Sequence, residues 1–311
     1  MRIVMLCGGV GAARFLDGVV RAVDDPTRVT AICNVSDDLE WHGLHVSPDI
    51  DTIIYTLAGL EGEFGWGLDG DTHTALEELR TFDGDEWFTI GDRDLATHIR
   101  RNERLCEGAT LAEATSELAA ARGLSARLLP VTNDPHPTIV VTEDGELAFQ
   151  EYFVRRRAQD PVSGFRFPGA ESALPAPGVL DAITEAELLL VAPSNPFVSI
   201  DPMLAVAGVR SAIEATSARR VAVSPIVGGE AVKGPAADML RSLGHDVSAL
   251  GVARLYQGLI DTLILDDSDL GLADAIGELG IQPIVLDTMM RDRPGRLRVA
   301  TEVLEALTVA P

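Results

Sequence analysis

Apolar residues along this chain follow two alternating rhythms: short unbroken runs, and longer stretches spaced at helical intervals. The first run is Ile3-Val4-Met5-Leu6, and Cys7-Gly8-Gly9-Val10-Gly11 follows it directly. Ala12 to Leu16 then opens a helical pattern that continues through Val19, Val20 and Val23. Further strand-sized runs occupy residues 29–33, 126–131, 138–142, 147–153, 188–192 and 220–223, with shorter ones near 247–250, 262–265 and 282–286. Helical spacing predicts helices from about residue 49, over 74–81, 94–102, 110–122 and 202–215, from 233 to 243, and over 296–307. Such alternation implies an α/β fold: a Rossmann-like, mainly parallel sheet with helices on both faces. Residues 1–133 and 176–311 are the predicted core, mainly helical over about 65–125. A smaller β and irregular excursion is predicted over 134–175, rich in Pro and Gly towards its end.

The glycine turn between the first strand and helix is a candidate anion site. Glycines admit close backbone approach, while free N–H groups and the helix dipole face negative charge. Gly9-x-Gly11 also begins a dinucleotide fingerprint, with Asp37 or Asp38 available as the ribose acid, but Arg14 stands where the third glycine belongs. No Gly-Lys-Ser/Thr follows, so it is not a Walker A loop. A phosphate site and a plain tight turn are both compatible with this pattern. Ligands of parallel sheets bind beyond the strands' carboxyl ends. That rule brings the glycine loop, Asn34 to Asp38, Ser194-Asn195 and Ser224 to Gly229 to one rim, a setting suited to a nucleotide diphosphate.

Two carboxylates stand at the start of the next helix, in Ser47-Pro48-Asp49-Ile50-Asp51-Thr52. Ser47 or Asp49 is the expected N-cap, with Pro48 in the first turn. Asp49 and Asp51 could both face one cleft and anchor Mg²⁺, which favours one or two carboxylates plus phosphate oxygens and water. Capping and solvation explain them equally well. Further on, Gly91-Asp92-Arg93-Asp94 precedes His98 and Arg101. By spacing alone this is a self-paired surface loop, or else a polar site in which Asp94 caps the helix.

Composition narrows the function classes. A net charge of −23 argues against nucleic acid or anionic membrane as a main partner. The longest apolar runs are strand-sized and no signal-peptide pattern opens the chain, so a cytoplasmic location is expected. Cys7, Cys33 and Cys106 show no paired spacing, which disfavours a disulfide framework or metal cluster. Lys233 is the only lysine among 25 basic residues. Adaptation to high salt is one source of such a composition; biased base composition is the other.

Taken together, these motifs resemble the 2-phospho-L-lactate transferase family of coenzyme F-420 biosynthesis. The resemblance is carried in order by Gly8-Gly9-Val10-Gly11, Asn34-Val35-Ser36-Asp37-Asp38, His42-Gly43, Ser47 to Thr52 and Gly91-Asp92-Arg93-Asp94 with Ala96-Thr97-His98. Pro193-Ser194-Asn195-Pro196, Ser224-Pro225-Ile226-Val227-Gly228 with Gly234-Pro235-Ala236, and Asp287-Thr288-Met289 complete it. It implies a Mg²⁺-dependent transfer of a phospho-lactyl or phospho-enolpyruvyl group from a guanosine diphosphate ester to 7,8-didemethyl-8-hydroxy-5-deazariboflavin, releasing GMP. On that basis Gly8, Gly9, Gly11, Arg14, Asn34, Ser194, Asn195, Ser224 and Gly228 would hold the donor. Asp51, Thr89, Asp92, Arg93 and His98 would hold the deazaflavin. Asp49 and Asp51 would supply metal and catalytic contacts, with Asp51 facing the acceptor. Ala12 and Arg14 stand where many members carry Gly and Lys, with the charge kept at 14, and Thr89 stands where some carry Lys. A homodimer is the expected assembly. Asp51→Asn is expected to abolish transfer with the fold intact. The rival classes are a non-catalytic nucleotide-sugar-binding regulator of the gluconeogenesis-factor family, and an NAD-dependent dehydrogenase.

Overall fold

The computed structural model describes residues 1–83 and 87–309. Seven strands form the central sheet: β1 (Ile3–Cys7), β2 (Val29–Cys33), β3 (Arg127–Pro130), β4 (Leu188–Val191), β5 (Arg219–Val223), β6 (Thr262–Asp266) and β7 (Gln282–Leu286). Their spatial order is β7-β6-β5-β4-β1-β2-β3, and every pairing is parallel. The order reverses at β1, whose flanks are β2 and β4. Every residue of β1 is buried, as an unbroken apolar run requires when helices cover both faces of a sheet. In such sheets the crevice beyond the carboxyl ends at the reversal point receives the ligand.

Helix α1 (Gly9–Ala22) leaves β1 through the glycine turn and packs against α2 (Pro48–Leu57) and the C-terminal helix Arg293–Val309. Asp17 is buried in that contact and is met by Arg293 and Arg296 at 3.3 and 3.4 Å. α3 (Thr74–Asp83), α4 (Asp92–Cys106) and α5 (Leu111–Ala121) make the helical segment before β3. The excursion over 134–175 holds an antiparallel sheet in which Ile139–Thr142 lies between Gly145–Ala148 and Val162–Arg166. Its Val140, Leu147 and Val162 are buried in the same apolar core as the central sheet.

Four local predictions are corrected. The strand predicted over 147–153 ends at Ala148, and Glu151–Arg155 is a π-helical turn. This turn stacks Phe149 on Phe153 at 5.5 Å, and the Gln150 amide donates to the Asp37 carbonyl. Residues 247–250 are not a strand: the Ser248 hydroxyl accepts from the Gly251 N–H and caps the helix Ala249–Leu255. The helix predicted over 202–215 is two, Asp201–Ala205 and Val209–Ala215, broken where Gly208 takes φ 81°. Asp94 does not cap α4. Gly91 is the N-cap residue, and Asp71 reaches in from another loop to accept the Arg93 and Asp94 N–H groups.

Candidate functional site

At the carboxyl edge of the sheet, centred on the β1 turn, lies a cavity of about 670 Å³, within the usual range for small-molecule sites. Gly8, Gly9, Gly11, Arg14, Asp49, Asp51, Thr89, His98, Ser194, Asn195 and Ser224 all line it. The turn is built around close approach. Gly9 sits at φ 74°, and a Cβ on Gly11 would lie 2.4 Å from the Pro193 carbonyl oxygen. The Ser194 hydroxyl donates to the Gly8 carbonyl at 2.9 Å, which ties the end of β4 to the end of β1.

Asp49 already occupies part of this helix entrance. One of its oxygens accepts the Gly9 N–H at 2.8 Å and the other accepts the Asn34 amide at 3.0 Å. Asn34 therefore acts from beneath the cavity, fully buried, rather than from its wall. Burial raises the Asp49 carboxyl to about 6, with these hydrogen bonds opposing the shift. Asp37 also lines the cavity. Burial first, and then the neighbouring charges of Asp49 and Asp38, hold its carboxyl well above the usual range, and its Oδ1 has no hydrogen-bond partner. Ser47 begins α2 as expected, but its hydroxyl donates to Asp38 at 2.7 Å instead of capping the helix.

Asp51 has a different neighbourhood. Arg101, fully buried on α4, donates to both of its carboxylate oxygens. Burial alone would weaken the guanidinium's hold on its proton, but Asp51 outweighs it and keeps Arg101 firmly charged. His98 lies between two acids, with Nδ1 3.6 Å from Asp51 and Nε2 3.3 Å from Asp94. Arg101 Nη1 also lies 3.3 Å from Nδ1. Tyr55 donates to the same Asp94 at 2.6 Å.

Several predicted residues stand outside the cavity wall. Asp92 accepts from the Thr72 hydroxyl at 2.6 Å and the Thr74 and Ala75 N–H groups, so it caps α3; these bonds pull its carboxyl down to about 2. Arg93 donates to the Asp69 carbonyl at 3.0 Å. The Gly228 N–H donates to Asp269 at 3.0 Å. Conversely, the wall includes Tyr55, Trp66, Phe88, Phe149, Gln150, Phe153 and Lys233, which sequence patterning did not single out as site residues. Only Lys233 carried a signal, as the chain's sole lysine.

The cavity has two electrostatic sides. Arg14, Lys233 and Arg291 contribute cations, none of them in an ion pair among the described residues, while Asp37, Asp49, Asp51 and Asp94 contribute carboxylates. Among the described residues no group of three or more His, Cys, Asp or Glu side chains could hold a metal by itself. A Mg²⁺ ion that takes phosphate oxygens needs fewer protein ligands. The unpartnered oxygen of Asp37 beside Asp49 suits such an ion, whereas both oxygens of Asp51 are committed to Arg101.

Sheet order, glycine turn and cavity position define a doubly wound α/β protein with its pocket at the sheet's reversal point. Residues 3–303 match the 2-phospho-L-lactate transferase CofD family, and the chain belongs to it. It is 42% identical over 312 residues to a phosphoenolpyruvate transferase of Streptomyces griseus, covering 98% of each chain. It is 43% identical to one of Thermobifida fusca, with 92% of each chain covered. Among solved structures, a UPF0052-family protein of Bacillus halodurans shares the fold with a TM-score of 0.62 at 19% identity, over 98% of both chains. The chain is thus a transferase of coenzyme F-420 biosynthesis.

Proposed function

We propose that this enzyme transfers a phospho-enolpyruvyl group from enolpyruvyl-2-diphospho-5'-guanosine to the ribityl hydroxyl of 7,8-didemethyl-8-hydroxy-5-deazariboflavin, with Mg²⁺, and releases GMP. The observation that carries the reading is the two-sided cavity, with cations that belong to no ion pair among the described residues on one side and carboxylates along α2 on the other. The name borne by the relatives at 42–43% identity favours the enolpyruvyl over the lactyl donor. A diphosphate at the α1 entrance would meet the Asp49 charge already seated there, so a divalent cation between them removes a repulsion. Asp37, through its unpartnered oxygen, and Asp49, whose oxygens accept only from neutral donors and keep a lone pair each, would hold that ion, and it would supply charge neutralisation for the diphosphate.

The acceptor oxygen forms a bond to the phosphorus distal to guanosine, the bridging P–O bond breaks, and GMP carries the released electron pair. Phosphoryl transfer asks a protein mainly for alignment and charge stabilisation. Arg14 and the N–H groups of the α1 first turn would face the diphosphate. Asp51 and Asp94 lie on the acceptor side; Asp94, without a guanidinium pair, is the better placed to receive the hydroxyl proton.

Mass spectrometry of the product from the deazaflavin, Mg²⁺ and each guanosine diphosphate ester tests this reading. The dehydro product with stoichiometric GMP is expected. A phospho-lactyl product alone would correct the donor, and absence of GMP with either ester would refute the transfer.

A further inference from the structure

The wall holds one arrangement that this transfer reading does not require. Residues 62–68 leave the end of α2 as a short strap. It is closed by Gly62 N–H to Gly67 carbonyl at 3.1 Å and Asp69 N–H to Leu60 carbonyl at 2.9 Å, with Glu61 and Leu68 bridged. The strap crosses the first turn of α1, where a Cβ on Gly65 would lie 2.5 Å from the Val10 side chain. Two aromatic rings ride on it, Phe64 and Trp66, stacked at 6.3 Å and exposed by 66% and 49%.

Its far attachment is a single residue. The Lys233 ammonium, from the loop after β5, donates to the Phe64 carbonyl and lies 4.1 Å over the Trp66 ring. Lys233, Trp66, Gly67, Val10 and Arg14 all line the cavity, so this clasp spans its mouth. The Lys233 ammonium beside Arg14 is exposed and has no carboxylate partner among the described residues, in a chain of net charge −23. Burial and Arg14 push its amine down to about 8, so it is still mostly charged at neutral pH. A carbonyl and a half-exposed ring are weaker partners for an ammonium than a phosphate oxygen is.

We propose that Lys233 is an anion hook with two seats: it clasps the 62–68 strap across the cavity mouth, and a phosphorylated ligand takes the ammonium over and frees the strap. This rests on the diphosphate reading above, and it adds both a donor-binding residue and the moving part that admits the donor.

Because Lys233 is the only lysine, amine acetylation with peptide mass spectrometry reads it directly in the unmodified enzyme, apart from the N-terminus. With saturating GDP and Mg²⁺, acetylation at Lys233 should slow by about tenfold as phosphate takes the amine. Trp66 fluorescence should change on the same titration in the wild type, and that change should vanish in Trp66→Phe. Lys233→Gln should raise the GDP Kd about tenfold, and Lys233→Arg should largely restore it. If calorimetry shows GDP bound while the acetylation rate is unchanged, the hook is refuted and the nucleotide site stands. If the fluorescence change is absent, or persists in Trp66→Phe, the strap's release is refuted. If GDP does not bind at all, the hook and the transfer reading fail together.

Discussion

Asp51 cannot be exchanged in isolation, because Arg101 donates to both of its oxygens inside the protein. Asp51→Asn should stop transfer, but not with an intact fold: stranding a buried guanidinium costs about 3–5 kcal/mol. Urea unfolding beside the GMP assay checks both effects, and unchanged stability would mean that water reaches Arg101. A second, partly buried acid gives a pH signature. Burial raises Asp201 to about 6, against an unfolded value near 3.8. A raised carboxyl stays protonated in the fold while the unfolded chain ionises. Its stability is therefore full below about pH 4 and is lost as pH climbs through 6. That is on the order of 3 kcal/mol, which Asp201→Asn should retain at pH 7 and above. Equal urea midpoints for the two proteins at pH 8 would refute it. At this scale the sequence showed residues whose role is local, such as Gly9 and Gly11 in the turn. It could not show that Asp92 and Arg93 are spent on α3 and the Asp69 loop, nor that Arg101 reaches Asp51 from a helix fifty residues away.

Among the elements, the pairing of α1 with the C-terminal helix is the tightest. A Cβ on Gly18 would lie 2.2 Å from the Arg296 carbonyl oxygen. Gly18→Ala gains about 1 kcal/mol of helix propensity, yet it should lower stability by about 1–3 kcal/mol through overpacking. A lower Tm is the expected result; a higher one would show that the helices can part at no cost. The same logic explains which elements were legible. The strands of the sheet announce themselves because burial on both faces demands unbroken apolar runs, as in β1 and β4. Residues 147–153 carry the same signal for another reason: Phe149 and Phe153 are apolar because they wall the cavity, and a π-helical turn aims them there. Residues 247–250 misled because Ser248 is a cap and Gly251 closes on the Asp246 carbonyl, features that apolar content does not register.

For the whole molecule, charge and topology set the terms. Carboxylates exceed basic residues by 48 to 25, and many arginines are already in ion pairs such as Arg220 with Asp261. The surplus repels itself. Raising KCl shortens the screening length from about 10 Å at 0.1 M to about 3 Å at 1 M, so Tm should rise by several degrees. A flat or falling Tm by calorimetry would leave base composition as the source of the Arg-rich, Lys-poor chain. Topology has a quieter effect. Since β1 is flanked by β2 and by β4, the chain's opening segment gains its second neighbour only when residues 188–191 arrive. During synthesis β1 emerges ahead of β4 and waits, one hydrogen-bonding edge bare, until residues 188–191 follow it. Helpers that shield nascent chains would have that bare edge to cover for the whole of the interval.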